Sequence, residues 1–136
     1  MARMARVTLI LIVVSLSTLV TCSDWKFLGT DLKGNTYYID PRSILTDGDT
    51  RTFWIHKRFK KPRVLDNIII YAVKSQVSIN CTKRTSRILI VQTLDSKGNQ
   101  IHYKDFSKDT SDNLIILDTI DDTMRQYVCS TKNSAE

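Results

Sequence analysis

A chain of 136 residues, 42% apolar and 25% charged, has room for one domain and is too apolar to be a disordered tract. Its formal charge of +6 raises the possibility of a nucleic-acid partner, and the N-terminus argues against it.

Residues 1–23 have the order of a secretory signal. MARMAR carries Arg3 and Arg6 and no acid, Val7 to Val20 is uncharged, and Thr21-Cys22-Ser23 is a short tail of small residues. The uncharged run is well short of the roughly 20 residues that cross a bilayer as a helix. Loss of Arg3 and Arg6 takes the charge from +6 to +4, and export removes nucleic acid as a partner. The expected location is the periplasm, the outer envelope or the extracellular space.

A cut before Asp24 leaves a mature start at Asp24-Trp25. Leu19-Val20-Thr21-Cys22 also resembles a lipoprotein box, in which Cys22 is acylated and holds the chain on a membrane, although Thr21 stands where glycine or alanine is usual. Either fate removes Cys22 from the thiol count. Cys81 and Cys129 then remain in an oxidising compartment, where a pair of cysteines reads as a disulfide before it reads as a metal or catalytic site. Closing a loop of about 48 residues stabilises a fold by about 4 kcal/mol in the chain-entropy model.

The elements that follow are extended until near the end. Trp25 to Thr30 and Asn35 to Asp40 flank Asp31-Leu32-Lys33-Gly34, a turn in which Gly34 takes a positive φ. Pro41 to Leu45 reads as a compact corner, and Asp47-Gly48-Asp49 turns the chain into Thr50 to Phe59. There Phe53, Ile55 and Phe59 share one parity and Trp54 the other, which predicts a strand covered on both sides. KKPRVLDN, with Pro62 inside it, reads as a loop.

From Ile68 to Cys81 the alternation is clean. Tyr71, Val73, Ser75, Val77, Ile79 and Cys81 fall on one face, which is assigned to the core. Arg87 to Leu94 and Gln100 to Phe106 pair across a second turn, Asp95-Ser96-Lys97-Gly98-Asn99. Thr119 then caps a helix in which Ile120, Met124 and Tyr127 or Val128 recur at helical spacing. The expected architecture is α+β: about six antiparallel strands in a meander, a C-terminal helix docked on the sheet, and one disulfide. The domain spans 24–129, with 130–136 as a flexible tail.

These residues carry a resemblance. Trp25, Gly29, Asp31-x-x-Gly34, Tyr37-Tyr38-x-Asp40, Ser43-Ile44, the strand with Trp54 and the run ending at Cys81 are similar, in order, to the surface-adhesin protein E-like family. Arg84-x-x-Arg87, Asp95-x-x-Gly98-Asn99 and a cysteine at the end of the last helix continue the match. The resemblance implies a small exported bacterial protein, often a lipoprotein, with an antiparallel sheet, a long C-terminal helix and a disulfide between Cys81 and Cys129. The chain departs from the family in having Leu117-Asp118 where a proline often precedes that helix. The shared positions are structural, so adhesion follows only as a fold-level analogy.

No enzyme is expected, and no cofactor or metal. His56 and His102 sit in strands without ligand-spaced partners. Asp118, Asp121 and Asp122 gather where a helix begins and offset its dipole. Neither a nucleophile elbow nor a phosphate loop is present.

One feature points outward: Lys57, Arg58, Phe59, Lys60, Lys61 and Arg63, cations around an aromatic, suited to a protein or anionic surface partner. A solvated loop accounts for the same run. Lys83, Arg84 and Arg87 extend the patch if the two hairpin ends are close. The expected role is an exported, non-catalytic surface or envelope domain that mediates protein or surface contact. The alternative is a periplasmic small-ligand-binding or structural envelope module, its pocket left by Ala72 and Ser75 unless Trp25, Tyr71, Phe53 and Met124 fill it. An exposed edge strand also allows a homodimer.

Overall fold

The computed structural model describes residues 24–130, so the leader and any modification of Cys22 lie outside the described residues, as does the tail from 131 onward. Strands β1 (Lys26–Thr30) and β2 (Thr36–Ile39) are followed by a 3₁₀ turn at Pro41–Ser43 and by β3 (Leu45–Asp47). Then come β4 (Thr50–Leu65), β5 (Ile68–Asn80), β6 (Thr85–Leu94), β7 (Gln100–Asp105), β8 (Asn113–Leu114) and the helix α1 (Ile120–Ser130).

Six strands form one antiparallel path in the order β1-β2-β4-β5-β6-β7, the expected meander. Two short strands were not anticipated. β3 pairs with the start of β4, and β8 pairs with the start of β6, each on an edge that its longer neighbour leaves free. Two- and three-residue strands show too little alternation to be read from sequence.

The two D-x-K-G-N turns are built alike. The Asp31 carboxylate accepts from the amides of Lys33 and Asn35 while Gly34 takes φ 83°. Asp95 accepts from the amides of Lys97 and Asn99 while Gly98 takes φ 82°. Burial disfavours the charged form of Asp31. The hydrogen bonds from Asn35, Tyr37 and Lys33 together outweigh that cost and hold its carboxyl at about 2.

The core lies between the sheet and α1. Tyr37, Ile39, Phe53, Ile55, Val77 and Ile79 from β2, β4 and β5 meet Met124 and Val128 from the helix. Cys81 is tied to Cys129, with 5.8 Å between their α-carbons, so the end of β5 is joined to the end of α1. At the other end of the helix, Thr119 Oγ1 accepts from the Asp122 amide, as a cap should. Asp122 is buried and receives Arg125 in two hydrogen bonds, together with Gln126 and the Asp118 amide. The helix includes Ser130.

The far face of the sheet carries a smaller cluster. Trp25 and Tyr38 flank His56 at ring distances of 5.6 and 6.2 Å, and Ala72 and Leu94 are buried side by side in register. Strand β4 is therefore covered on both faces along its first half, as its two parities required. Tyr71 departs from expectation and stands exposed. An 11-residue helix is about 16 Å long. Ser75, Val77 and Ile79 are buried in the row beneath it, and the row continues past the helix into solvent.

Candidate functional site

The segment KKPRVLDN is not a loop. β4 continues through it to Leu65, and a two-residue turn at Asp66-Asn67, with φ 50° and 63°, leads straight into β5. Such a turn matches the twist of a hairpin and suits Asp and Asn. Pro62 is accommodated by a break in register. Arg58 pairs with Ala72 and the next pair is Arg63 with Ile70, so extra residues of β4 bulge out and the missing proline N–H breaks no ladder bond.

The pairing limits give this region its form. β2 accompanies β4 only as far as Arg58, and β6 accompanies β5 only from Ala72 onward. Residues 59–71 therefore stand beyond the sheet as a two-stranded arm. It is tied at its base by the Lys60 amide, which donates to the side-chain oxygen of Asn35 at 3.2 Å. Asn35 is buried and also donates to Asp31, so the β1–β2 turn and the arm share one anchor.

All six expected patch residues lie at the base of the arm or on it, but they do not form one flat surface. Lys57 is half-buried, with Nζ 4.0 Å from the Asp31 carboxylate and 5.1 and 5.5 Å from the Tyr37 and Phe59 ring centres. Burial is the main cause that lowers its pKa, partly opposed by Asp31. The Arg63 guanidinium lies 4.7 Å from the same Phe59 ring, so two cations hold one aromatic. Lys60 and Lys61 are exposed, and the Lys60 stem passes closely over Gly34, where an added Cβ would meet it at 2.6 Å. Arg58 is on the opposite face, beside His56, whose pKa is lowered by burial first and by Lys74 and Arg58 next.

The aliphatic residues of the arm were overlooked in the sequence. Val64, Leu65 and Ile69 are 71%, 54% and 51% exposed, and Tyr71 is 38% exposed. The proposed extension through Lys83, Arg84 and Arg87 fails, because these residues stand at the Cys81 end of β5, a strand length away from the arm. Arg87 is occupied there, with Nε 3.6 Å from Asp112 and a further bond to the Asp109 carbonyl.

A groove of about 440 Å³ opens between α1 and the sheet, floored by Ile55, Val73, Val77 and Val91 and reached by Lys57 and Arg63. Phe53 and Met124 belong to the core as expected. Trp25 lies on the other face, and Tyr71 is exposed and does not line the groove, so neither fills this space. Ser75 lines the groove, and Ala72 does not. Asp121 stands at its rim, its carboxyl pushed up by desolvation against the pull of Lys57. Among the described residues no helix is long and apolar enough to cross a membrane, and no three His, Cys, Asp or Glu side chains converge as a metal site.

A family model described as surface-adhesin protein E matches residues 25–130. No curated protein matches the chain. The fold is similar to the structure of Haemophilus influenzae protein E, with a TM-score of 0.58 at 19% identity over 79% of this chain and 85% of that one. A second crystal form of the same protein gives a TM-score of 0.59 at 18% identity, covering 79% and 88%.

Proposed function

The chain belongs to the surface-adhesin protein E family, and from that premise we propose that it is an exported, non-catalytic domain whose contact element is the β4–β5 arm. Membership makes it a surface adhesin-like domain, exported or surface-exposed. Its compartment in this reading is the periplasm, the outer envelope or the extracellular space, with membrane attachment if Cys22 is acylated.

The observation that carries the proposal is the position of the arm. Cations and the exposed aliphatic side chains Val64, Leu65 and Ile69 lie together on a ribbon that no further strand flanks among the described residues, with Ile70 alone of its aliphatics fully buried. Several charged groups elsewhere hold structure: Asp31 and Asp95 close turns, Asp122 and Arg125 secure the helix, and Arg87 ties down the loop before β8. Lys57, Arg58, Phe59, Lys60, Lys61 and Arg63 are the residues assigned to a protein or anionic surface partner. The groove supports a second reading as a small-ligand module, because the residues expected to fill it leave it open.

The test compares fluorescently labelled exported protein with the triple variant Lys60→Glu, Lys61→Glu, Arg63→Glu on cultured epithelial cells. Wild-type protein binds and the variant loses most binding while keeping its unfolding midpoint. Equal binding by both would remove the arm from the contact role.

A further inference from the structure

Resting on the arm as the contact element, we infer that its partner is the surface of an anionic phospholipid bilayer, the tip aliphatics lodged at headgroup depth and the flanking cations on lipid phosphates. Cations alone would suit any polyanion. The aliphatics narrow the choice. In the hairpin register Val64 lies opposite Ile69 and Leu65 opposite Ile68, so both faces of the ribbon are apolar at its end. A glycan would leave those side chains in water, and a protein docked on one face would cover half of them. A bilayer interface surrounds the tip and takes up both faces.

The charge order along the arm fits the same medium. Residues 57–71 hold five cations, Lys57, Arg58, Lys60, Lys61 and Arg63, against one acid, Asp66. Lys61 is three residues from Val64, about 10 Å along an extended strand. That is about the depth between phosphates and the first methylenes that interfacial apolar segments occupy. Among the described residues no other strand flanks the arm beyond Arg58 and Ala72, so its sides are free to approach.

Depth is limited by the turn itself. Asp66 carries a charge at the extreme tip, and the outer edges of a two-stranded ribbon carry unpaired amides and carbonyls. Both are costly in hydrocarbon, so the arm stops among the headgroups.

The experiment uses exported protein in a Cys22→Ser background, so that no acyl chain contributes. It is sedimented with vesicles of phosphatidylcholine alone and with vesicles of phosphatidylcholine and phosphatidylglycerol in equal parts. Binding is expected to the mixed vesicles only, and to weaken as salt is raised. Lys60→Ala and Lys61→Ala each reduce it about fivefold. The double variant Val64→Ser, Leu65→Ser reduces it about tenfold, through lost apolar contact. Asp66→Asn removes the repelling charge and keeps a residue at home in a positive-φ turn, so it tightens binding about fivefold, a gain that misfolding cannot mimic.

Vesicle binding insensitive to the tip variant, or unchanged between the two lipid mixtures, overturns the inference. Arm-dependent binding to cells without binding to vesicles also overturns it and leaves the contact role standing, with a protein or glycan as the partner. Loss of the contact role itself is read separately, from the charge-reversed protein on cells.

Discussion

Strands β4 and β5 pass through two environments, and the same residue types have opposite fates in them. Between Thr50 and Arg58 the hairpin lies under α1, and Phe53, Ile55, Val77 and Ile79 are buried. Between residues 59 and 71 no strand flanks it among the described residues, and Val64, Leu65 and Ile69 are in water. An isolated two-stranded ribbon gains little stability of its own, so the arm owes its shape to the sheet from which it grows. Apolar residues in the first region stabilise the fold, whereas Val64, Leu65 and Ile69 in the second are available for contact, Ile70 being the buried exception.

Breaking that contrast from the stable side gives the largest effects. Replacing Cys81 and Cys129 by Ser releases the helix from β5 and costs about 4 kcal/mol, seen as a fall in the urea midpoint. Met124→Ala leaves a hole beneath the helix and costs about 3 kcal/mol in the same assay.

Asp31 gives an intermediate effect that depends on pH. Its folded pKa of about 2 lies below the ordinary aspartate value of 3.8, so its charge stabilises the fold above the higher value. That contribution is lost as pH falls through the lower one. Asp31→Ala costs on the order of 1–2 kcal/mol at neutral pH, and its deficit against wild type shrinks between pH 4 and pH 2 in acid titrations followed by circular dichroism. On the arm side, Val64→Ser with Leu65→Ser changes the unfolding free energy by less than about 0.5 kcal/mol. A large loss there would make the tip part of the core and erase the distinction.

The covered region was legible in the sequence and the arm was not. Alternation up to Cys81, two D-x-K-G-N turns and a threonine before a helical repeat each report a local rule that the packed half obeys. KKPRVLDN misled because a run of cations and a proline describe both a loop and a ribbon in solvent, where no buried face imposes alternation. The better signal was at the end of the same segment: Asp66-Asn67 between Val64-Leu65 and three isoleucines is the composition of a tight hairpin turn. Tyr71 misled for a related reason. Parity tells which face a side chain takes, but not how far the covering helix reaches. The patch residues were found as a composition, and their division between two faces followed from a register break that Pro62 signalled but did not specify.

The long strand β5 has one more implication. It runs without interruption from the turn at the arm's end to Asn80, and the next residue is covalently bound to the end of α1. A pull on the tip enters β4 and β5 together, and the β5 branch runs straight into the staple. The pull loads the rungs that the hairpin shares with β2 and β6 lengthwise and together rather than peeling them one at a time, so an attachment made at the arm transmits tension directly to the best-braced part of the molecule.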